Sequence, residues 1–181
     1  SLPEADYQDW QKLVLSALFR VVTDAGSCWY QHKNRIKAGV SISPYAWLLQ
    51  AQWVVKQEVV WRNGSQNFDK IRFYPMTERL YWLAKSPKTK LINTVNLHDD
   101  WHIEPVGSKG THTRAFPPTI VSNIVSCFPD AGLVLDPFCG SGTTVLVAGQ
   151  LNRRGIGIEI SEEYCALAVE RNKQAVLVGG V

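Results

Sequence analysis

The sequence predicts an α/β fold with parallel strands in its carboxyl-terminal part. Short apolar segments alternate there with segments of helical spacing, which is typical of βαβ units. The expected strands are residues 133–135 and 155–160, and the expected helices are 143–151, 162–173 and one opened by Pro117-Pro118. A second observation agrees with this prediction. The strand at 133–135 runs into a turn that contains two glycines, Gly140 and Gly142.

The amino-terminal part is predicted from the spacing of its apolar residues. A helix is expected over residues 6–22, and Gly26 is suited to the turn that follows it. A second helix is expected over 45–54, after Pro44. Segments rich in β-branched and aromatic residues predict strands at 27–30, 58–61 and 79–85. Residues 32–35 are expected to form a polar loop.

Composition is that of a soluble globular protein. The 181 residues are 45% hydrophobic and 19% charged, which fits one domain with a buried core. Apolar stretches are too short to span a bilayer, so no membrane partner is expected. The four cysteines form no CxxC pair, which favours reduced thiols in a cytoplasmic protein over zinc or disulfides. The net charge of +3 permits a nucleic-acid partner without requiring one.

The turn after the strand at 133–135 has the features of an anion site. Residues 133–144 read LVLDPFCGSGTT. Glycine has no Cβ, so the backbone can approach a ligand closely. The start of the next helix offers free N–H groups and a positive dipole end, which suit a carboxylate. Asp136, at the end of the strand, can accept hydrogen bonds from an amino group or from water.

The next predicted strand ends in an acid. Residues 155–160 read GIGIEI, with Glu159 at the strand end. In nucleotide-binding βαβ units, an acid at this place binds ribose hydroxyls. A tight turn with a surface glutamate would explain either motif by itself. The two motifs in this register instead predict a ligand with an adenosine and a charged tail.

The runs DPFCGSGTT and GIGIEISEEY closely resemble the cofactor motifs of amino-methyltransferases that modify adenine N6 or cytosine N4 in DNA. The resemblance extends to RAFPPTI at 114–120, which is similar to the Phe-Pro motif of the family. It also extends to WYQHKNR at 29–35 and to residues 79–85, which are similar to strands of the catalytic half. The order of the motifs matches the permuted members, in which the catalytic half comes first.

This resemblance implies a Rossmann-like methyltransferase fold that binds S-adenosylmethionine. The implied reaction is methyl transfer to an exocyclic amine in double-stranded DNA, as in restriction–modification. Glu159 would bind the ribose hydroxyls, and the turn at 140–143 would support the methionine end. The implied cofactor-binding residues are Phe116, Pro117, Thr119, Asp136, Phe138, Gly140, Ser141, Gly142, Thr143 and Glu159. The family also implies a cytoplasmic protein of bacterial, archaeal or phage origin.

The sequence departs from the family at the catalytic motif. The family's tetrapeptide, which is Asp, Asn or Ser followed by Pro-Pro and an aromatic residue, does not occur in the 181 residues. Ser43-Pro44-Tyr45 has one proline and is better interpreted as a helix start. In the family the tetrapeptide polarises the exocyclic amine and stacks on a flipped-out base. We therefore assign no catalytic residue.

The strand that carries the tetrapeptide in the family is also missing. It lies between the strands that end here at Asp136 and Tyr30. We therefore expect residues 1–181 to form a partial domain, incomplete at its amino end and lacking a central strand. Because open strand edges recruit other chains, a homo-oligomer or a complementing chain is expected. Two alternatives stay open: a non-catalytic cofactor-binding subunit of a split enzyme, and a methyltransferase acting on RNA or protein.

Weaker features leave further alternatives. Residues 86–113 are either a small target-recognition insertion or a linker. An insertion would contact DNA phosphates through Lys85, Lys88, Lys90, Lys109 and Arg114. Lys33, Arg35 and Lys37 likewise either contact phosphates or belong to an ordinary polar turn.

Two other groups of residues receive structural interpretations. A cluster of three histidines and two aspartates matches no zinc signature, so no metal site is predicted. Its members are His98, Asp99, Asp100, His102 and His112. Four tryptophans are assigned to the core rather than to a base-stacking surface: Trp47, Trp53, Trp61 and Trp82.

Overall fold

A computed structural model of the chain describes residues 2–64, 69–104 and 116–178. The chain divides into two compact units. The first comprises Ser1–Lys90 and Leu97–His102, and the second comprises Leu91–Asn96 and Ile103–Val181. The segment 86–113, predicted to be an insertion or a linker, therefore contributes to both units. Residues 105–113 of that segment lie outside the described ranges.

The first unit is built on a four-stranded sheet. The strand order is β1 (Ser27–His32), β5 (Thr77–Ala84), β4 (Val54–Arg62) and β6 (Asp100–His102). β5 pairs antiparallel with β1 and β4, whereas β6 runs parallel to β4. A separate hairpin follows β1 and consists of β2 (Arg35–Lys37) and β3 (Val40–Ile42).

The core of the first unit lies where two helices meet this sheet. The helices are α1 (Glu4–Val21) and α2 (Tyr45–Leu48). The indole N–H of Trp53 donates a buried hydrogen bond of 2.9 Å to the carbonyl of Leu15 on α1. The fully or nearly fully buried cluster consists of Leu15, Trp47, Leu48, Trp53, Tyr81 and Leu83. Since Trp61 and Trp82 are also buried, the assignment of the four tryptophans to the core is confirmed.

A chain of polar side chains joins α1 to β1 within this core. The hydroxyl of Tyr30 donates to Gln11 Oε1 at 2.8 Å and accepts from the indole N–H of Trp47 at 3.1 Å. Gln11 Nε2 donates to the hydroxyl of Tyr7 at 2.8 Å, and that oxygen lies 2.7 Å from His32 Nε2. Burial raises the pKa of Tyr30 and lowers the pKa of His32. These contacts satisfy polar groups that would otherwise be costly to bury.

The second unit contains a parallel βαβ element. β7 (Leu133–Asp136) pairs in parallel with β8 (Arg154–Gly157), and α4 (Thr143–Gln150) connects them. Before this element lies α3 (Pro118–Ser126), and after it lies α5 (Glu162–Val178). α3 packs on α4 through Val121, Val125 and Val147. The parallel arrangement predicted from the sequence is confirmed.

The structure differs from the sequence predictions at four places. The helix predicted over 45–54 ends at Leu48, and the last residue of that range, Val54, begins β4. The expected loop at 32–35 instead leads into the β2–β3 hairpin. β6 lies in the segment 86–113, for which no strand was predicted. Trp101 is buried there and pairs in register with Trp61. The strand predicted to reach residue 160 ends at Gly157.

Both sheets have an open edge. β1 pairs with β5 on one side, and β7 pairs with β8 on one side. Within the described ranges, neither strand has a second hydrogen-bonded neighbour. The two strands that the sequence predicts to flank a missing strand are therefore both edge strands. The helices of these same ranges include none with the length and apolar character to span a membrane.

Leu15→Ala is expected to lower the free energy of unfolding of the first unit by about 2–5 kcal/mol, because it leaves a cavity in a close-packed core. Leu15 is 0% exposed, whereas Leu13 on the same helix is 70% exposed. Leu13→Ala is therefore the control and should change stability by less than about 0.5 kcal/mol. Urea unfolding followed by tryptophan fluorescence measures both variants. Equal losses would contradict the placement of α1.

Candidate functional site

The turn between β7 and α4 depends on its two glycines. Gly140 and Gly142 have φ angles of 50° and 79°, a region that side chains with a Cβ rarely adopt. Gly142 caps α4, since its N–H donates to the Cys139 carbonyl at 2.8 Å and its carbonyl accepts from Leu146 at 2.9 Å. A Cβ on Gly142 would lie 2.8 Å from the Cβ of Ala168 on α5, but one on Gly140 would meet nothing within 4 Å. Gly142 is thus constrained by packing, while Gly140 borders open space.

The carboxylate of Glu159, just beyond β8, binds three backbone N–H groups. Oε2 accepts from Gly140 at 3.0 Å, and Oε1 accepts from Ile160 and Ser161 at 2.9 Å each. These hydrogen bonds, with that from Ser161 the strongest influence, hold the pKa of Glu159 below its usual value of 4.5. Glu159 therefore ties the segment after β8 to the glycine turn.

This geometry refines the predicted role of Glu159. An ionised carboxylate has about four acceptor positions, and the backbone already uses both oxygens. A ribose hydroxyl would have to use a remaining position or replace the N–H of Gly140. A ligand bound through Glu159 is therefore coupled directly to the glycine turn.

Asp136 organises the same turn from the end of β7. Its Oδ1 accepts from the Phe138 N–H at 3.0 Å, and its Oδ2 accepts from the Thr144 hydroxyl at 2.6 Å. The backbone carbonyl of Asp136 accepts from the Ile158 N–H at 2.9 Å. Asp136 thus connects the start of the glycine turn to the beginning of α4 and to the segment after β8.

Arg171 on α5 is a residue of this site that the sequence interpretation missed. Its Nη1 donates to the carbonyl of Ser141 at 2.7 Å, to the hydroxyl of Ser141 at 2.6 Å and to the hydroxyl of Thr143 at 3.4 Å. Helical spacing could have identified Arg171. Ala168, which contacts the position of a side chain at residue 142, lies three residues earlier on the same face of α5. A cation therefore fixes the turn from the α5 side.

The structure brings most of the predicted residues into one hydrogen-bonded network. Its members are Asp136, Phe138, Gly140, Ser141, Gly142, Thr143 and Glu159. The other three predicted residues lie at the start of α3 in the same unit. Pro117 is the buried cap of α3, Phe116 packs against the α3–α4 cluster, and Thr119 is exposed.

The histidine–aspartate cluster and the cations of residues 85–114 do not assemble into a site in the part of the chain that is described. There, no three His, Cys, Asp or Glu side chains could hold a metal ion. His102 lies 3.4 Å from Asp100, and His112 falls outside the described residues. Lys85 lies 3.5 Å from Asp24. Lys109 and Arg114, predicted to contact phosphates, are also outside the described ranges.

The second unit therefore presents a rigid glycine turn, a helix start and a carboxylate at the ends of two parallel strands. The ends of parallel strands are where α/β proteins bind nucleotide-like ligands. The N-terminus of α4 suits an anionic group, and the Glu159 carboxylate suits hydroxyls. The class defined by this fold and site is a nucleoside-binding α/β protein.

A family model described as DNA methylase, for the N6 and N4 amino groups, matches residues 2–170. The chain belongs to this family, so the resemblance stated from its motifs is confirmed. A curated relative is the Type II methyltransferase M.ScaI of Streptomyces caespitosus. It is 27% identical over 92% of this chain and 67% of its own length. The chain spans less than half the length of two further curated Type II methyltransferases that it matches.

Solved structures show the same fold. The PvuII DNA methyltransferase, described as cytosine-N4-specific, matches with a TM-score of 0.82 and 20% identity. That match covers 98% of this chain and 77% of the other. A complex of M1.HpyAVI with S-adenosylmethionine matches with a TM-score of 0.70 and 25% identity, over 89% and 81% of the two chains. The Rossmann-like methyltransferase fold predicted from the sequence is confirmed.

Glu159→Gln is expected to reduce the loss of stability at acid pH. The pKa of Glu159 in the folded chain is below 4.5, so its charged form stabilises the fold above that pH. This contribution is lost as the pH falls through the lower folded-state value. Thermal unfolding followed by circular dichroism, compared at neutral pH and below about pH 4, measures the difference.

The matched control for this experiment is Glu162→Gln, which changes an exposed acid in the first turn of α5. It should keep the acid dependence of the wild type. An identical acid dependence in wild type and Glu159→Gln would contradict the three hydrogen bonds assigned to Glu159.

Proposed function

We propose that the chain binds S-adenosylmethionine at the glycine turn. We further propose that it forms the cofactor-binding part of a DNA methyltransferase acting on adenine N6 or cytosine N4. The observation that carries this proposal is the Glu159 carboxylate, joined to the Gly140 N–H at 3.0 Å at the ends of β7 and β8. The M1.HpyAVI complex supports the choice of cofactor, because it contains S-adenosylmethionine.

The cofactor would be held by three groups of the second unit. Glu159 would accept hydrogen bonds from the ribose hydroxyls. The N–H groups at the start of α4 would face the methionine carboxylate, which their partial positive charge stabilises. Phe116 and Pro117, at the start of α3, would cover the methionine end. The cofactor supplies an electrophilic methyl group on sulfur, and the residues of this chain orient it and exclude water.

The turn is held in place by other residues before any ligand binds. Asp136 binds it from β7, and Arg171 binds Ser141 and Thr143 from α5. A site that is already ordered loses little conformational entropy when the ligand binds. Asp136 and Arg171 would thus strengthen cofactor binding by keeping the turn ordered.

The chain would supply the cofactor and depend on other residues for the transfer step. Methyl transfer requires groups that hold the exocyclic amine in line with the methyl group, and the tetrapeptide that does this in the family does not occur in the 181 residues. A second candidate is a cofactor-binding subunit whose partner chain carries the tetrapeptide. The open edges of β1 and β7 offer places for a partner strand to pair.

The substrate class we propose is double-stranded DNA rather than RNA or protein. Membership in the DNA methylase family supports this choice. The Type II names of the curated relatives support a role in restriction–modification. The bacterial origin of those relatives supports a cytoplasmic location in a bacterium.

Glu159→Ala is expected to weaken S-adenosylmethionine binding by about tenfold or more, the effect of losing a charge-assisted hydrogen bond. Glu162→Ala and Glu163→Ala change neighbouring acids in the first turn of α5 and should bind within about twofold of wild type. Isothermal titration calorimetry measures all three. Circular dichroism of each variant separates lost binding from lost folding. Equal affinities for the three variants would remove Glu159 from the site.

A further inference from the structure

Two segments of the first unit are joined by a hydrogen bond. They are the β2–β3 hairpin with its entry, residues 33–42, and the connection at residues 69–76 before β5. We call residues 33–42 and 69–76 the hairpin–loop surface. Arg72 joins the two segments, because its Nη1 donates to the carbonyl of Gly39 at the hairpin tip at 3.4 Å.

The tip of the hairpin has a defined backbone. Ala38 and Gly39 both have positive φ, 47° and 79°, which is the geometry of a tight two-residue β-turn. In the register of the hairpin, Lys37 pairs with Val40 and Arg35 pairs with Ile42. The hairpin is therefore a short, ordered projection rather than an irregular polar loop.

Several large apolar side chains of this surface are exposed to solvent. Phe73 is 101% exposed and Ile71 is 78% exposed. The other large exposed apolar residues of the surface are Ile36, Val40, Tyr74 and Met76, each more than two fifths exposed. Contiguous exposed apolar groups of this kind mark a binding surface in soluble proteins.

The same surface is positively charged. It carries five cations, Lys33, Arg35, Lys37, Lys70 and Arg72, and one acid, Asp69. Two of the cations are engaged: Arg35 bonds to Glu4 at 3.0 Å, and Arg72 bonds to Asp69 at 2.7 Å. Among the described residues, no carboxylate lies within ion-pair distance of the three lysines.

We propose that the hairpin–loop surface binds the DNA duplex, with Lys33, Lys37 and Lys70 on phosphates and Ile71 and Phe73 on sugars or bases. Cations interleaved with exposed apolar groups match a duplex, because its phosphates bind the cations and its minor groove accepts apolar side chains against sugars or between base steps. A second copy of the surface fits poorly, because its lysines would face like charge. The proposal rests on the proposed function and adds a DNA interface separate from residues 86–113.

The triple variant Lys33→Ala/Lys37→Ala/Lys70→Ala tests the phosphate contacts. Each lost contact lowers the slope of log K against log[salt] by about one, so a decrease of about two to three is expected. Lys12→Ala removes a lysine of α1 that lies outside the surface and is bonded to Asp9 at 2.7 Å, and should keep the wild-type slope. Fluorescence anisotropy with a labelled mixed-sequence duplex, titrated at several salt concentrations, measures both.

Phe73→Ala tests the apolar contact. Loss of an apolar contact in the groove is expected to weaken DNA binding about fivefold or more without changing the salt slope. Leu13→Ala removes another exposed apolar side chain, 70% exposed, on α1, and should bind DNA as wild type does. Both changes are at exposed positions, so both variants should remain folded.

Three outcomes would overturn the proposal. The first is wild-type DNA affinity and salt slope in both the triple variant and Phe73→Ala. Another is an effect confined to Lys88→Ala and Lys90→Ala, in the segment 86–113. The third is a Phe73→Ala variant that dissociates a dimer in light scattering while its DNA affinity is unchanged, which would assign the surface to self-association.

Calorimetry with S-adenosylmethionine on the same samples separates this proposal from the proposed function. The surface variants should lose DNA affinity and keep cofactor affinity. A wild-type chain that binds cofactor but no DNA would overturn the interface and leave the cofactor site standing. A wild-type chain that binds DNA through this surface but no cofactor would contradict the proposed function instead.

Discussion

The hydrogen bonds between the Glu159 carboxylate and three backbone N–H groups fix the geometry on which the second unit depends. One of these groups belongs to the glycine turn and the other two begin the segment that leads into α5. Asp136 adds contacts from β7, and Arg171 adds contacts from α5. Two acids and one cation therefore hold a turn that its glycines would otherwise leave free to move.

This constraint links stability to ligand binding. A carboxylate whose pKa is lowered by amide hydrogen bonds stays charged at neutral pH, and a charged acceptor is the form that binds hydroxyls most strongly. A ligand hydroxyl at Glu159 would add to the amide bonds or compete with that of Gly140. The geometry of the turn and the occupancy of the site are consequently coupled through one side chain.

Sequence reasoning found the features that local signals encode. The β7–α4–β8 element and Glu159 follow from glycine placement, apolar runs and spacing, which need no tertiary information. Arg171 was missed because its contacts depend on how α5 packs against the turn. The hairpin was missed because a positive φ at Ala38 is unusual for alanine. β6 was missed because three residues gain their strand geometry from pairing with the distant β4.

Residues of the second unit can support cofactor binding. Methyl transfer is a separate step, because the tetrapeptide that holds the amine in the family does not occur in the 181 residues. The most direct measurement combines both on the purified chain, with labelled S-adenosylmethionine and mixed-sequence DNA. We expect saturable cofactor binding that Glu159→Ala weakens, and no label in DNA above a heat-denatured control. Turnover above that control, lost in Glu159→Ala, would show that other residues of this chain hold the amine and would contradict this separation.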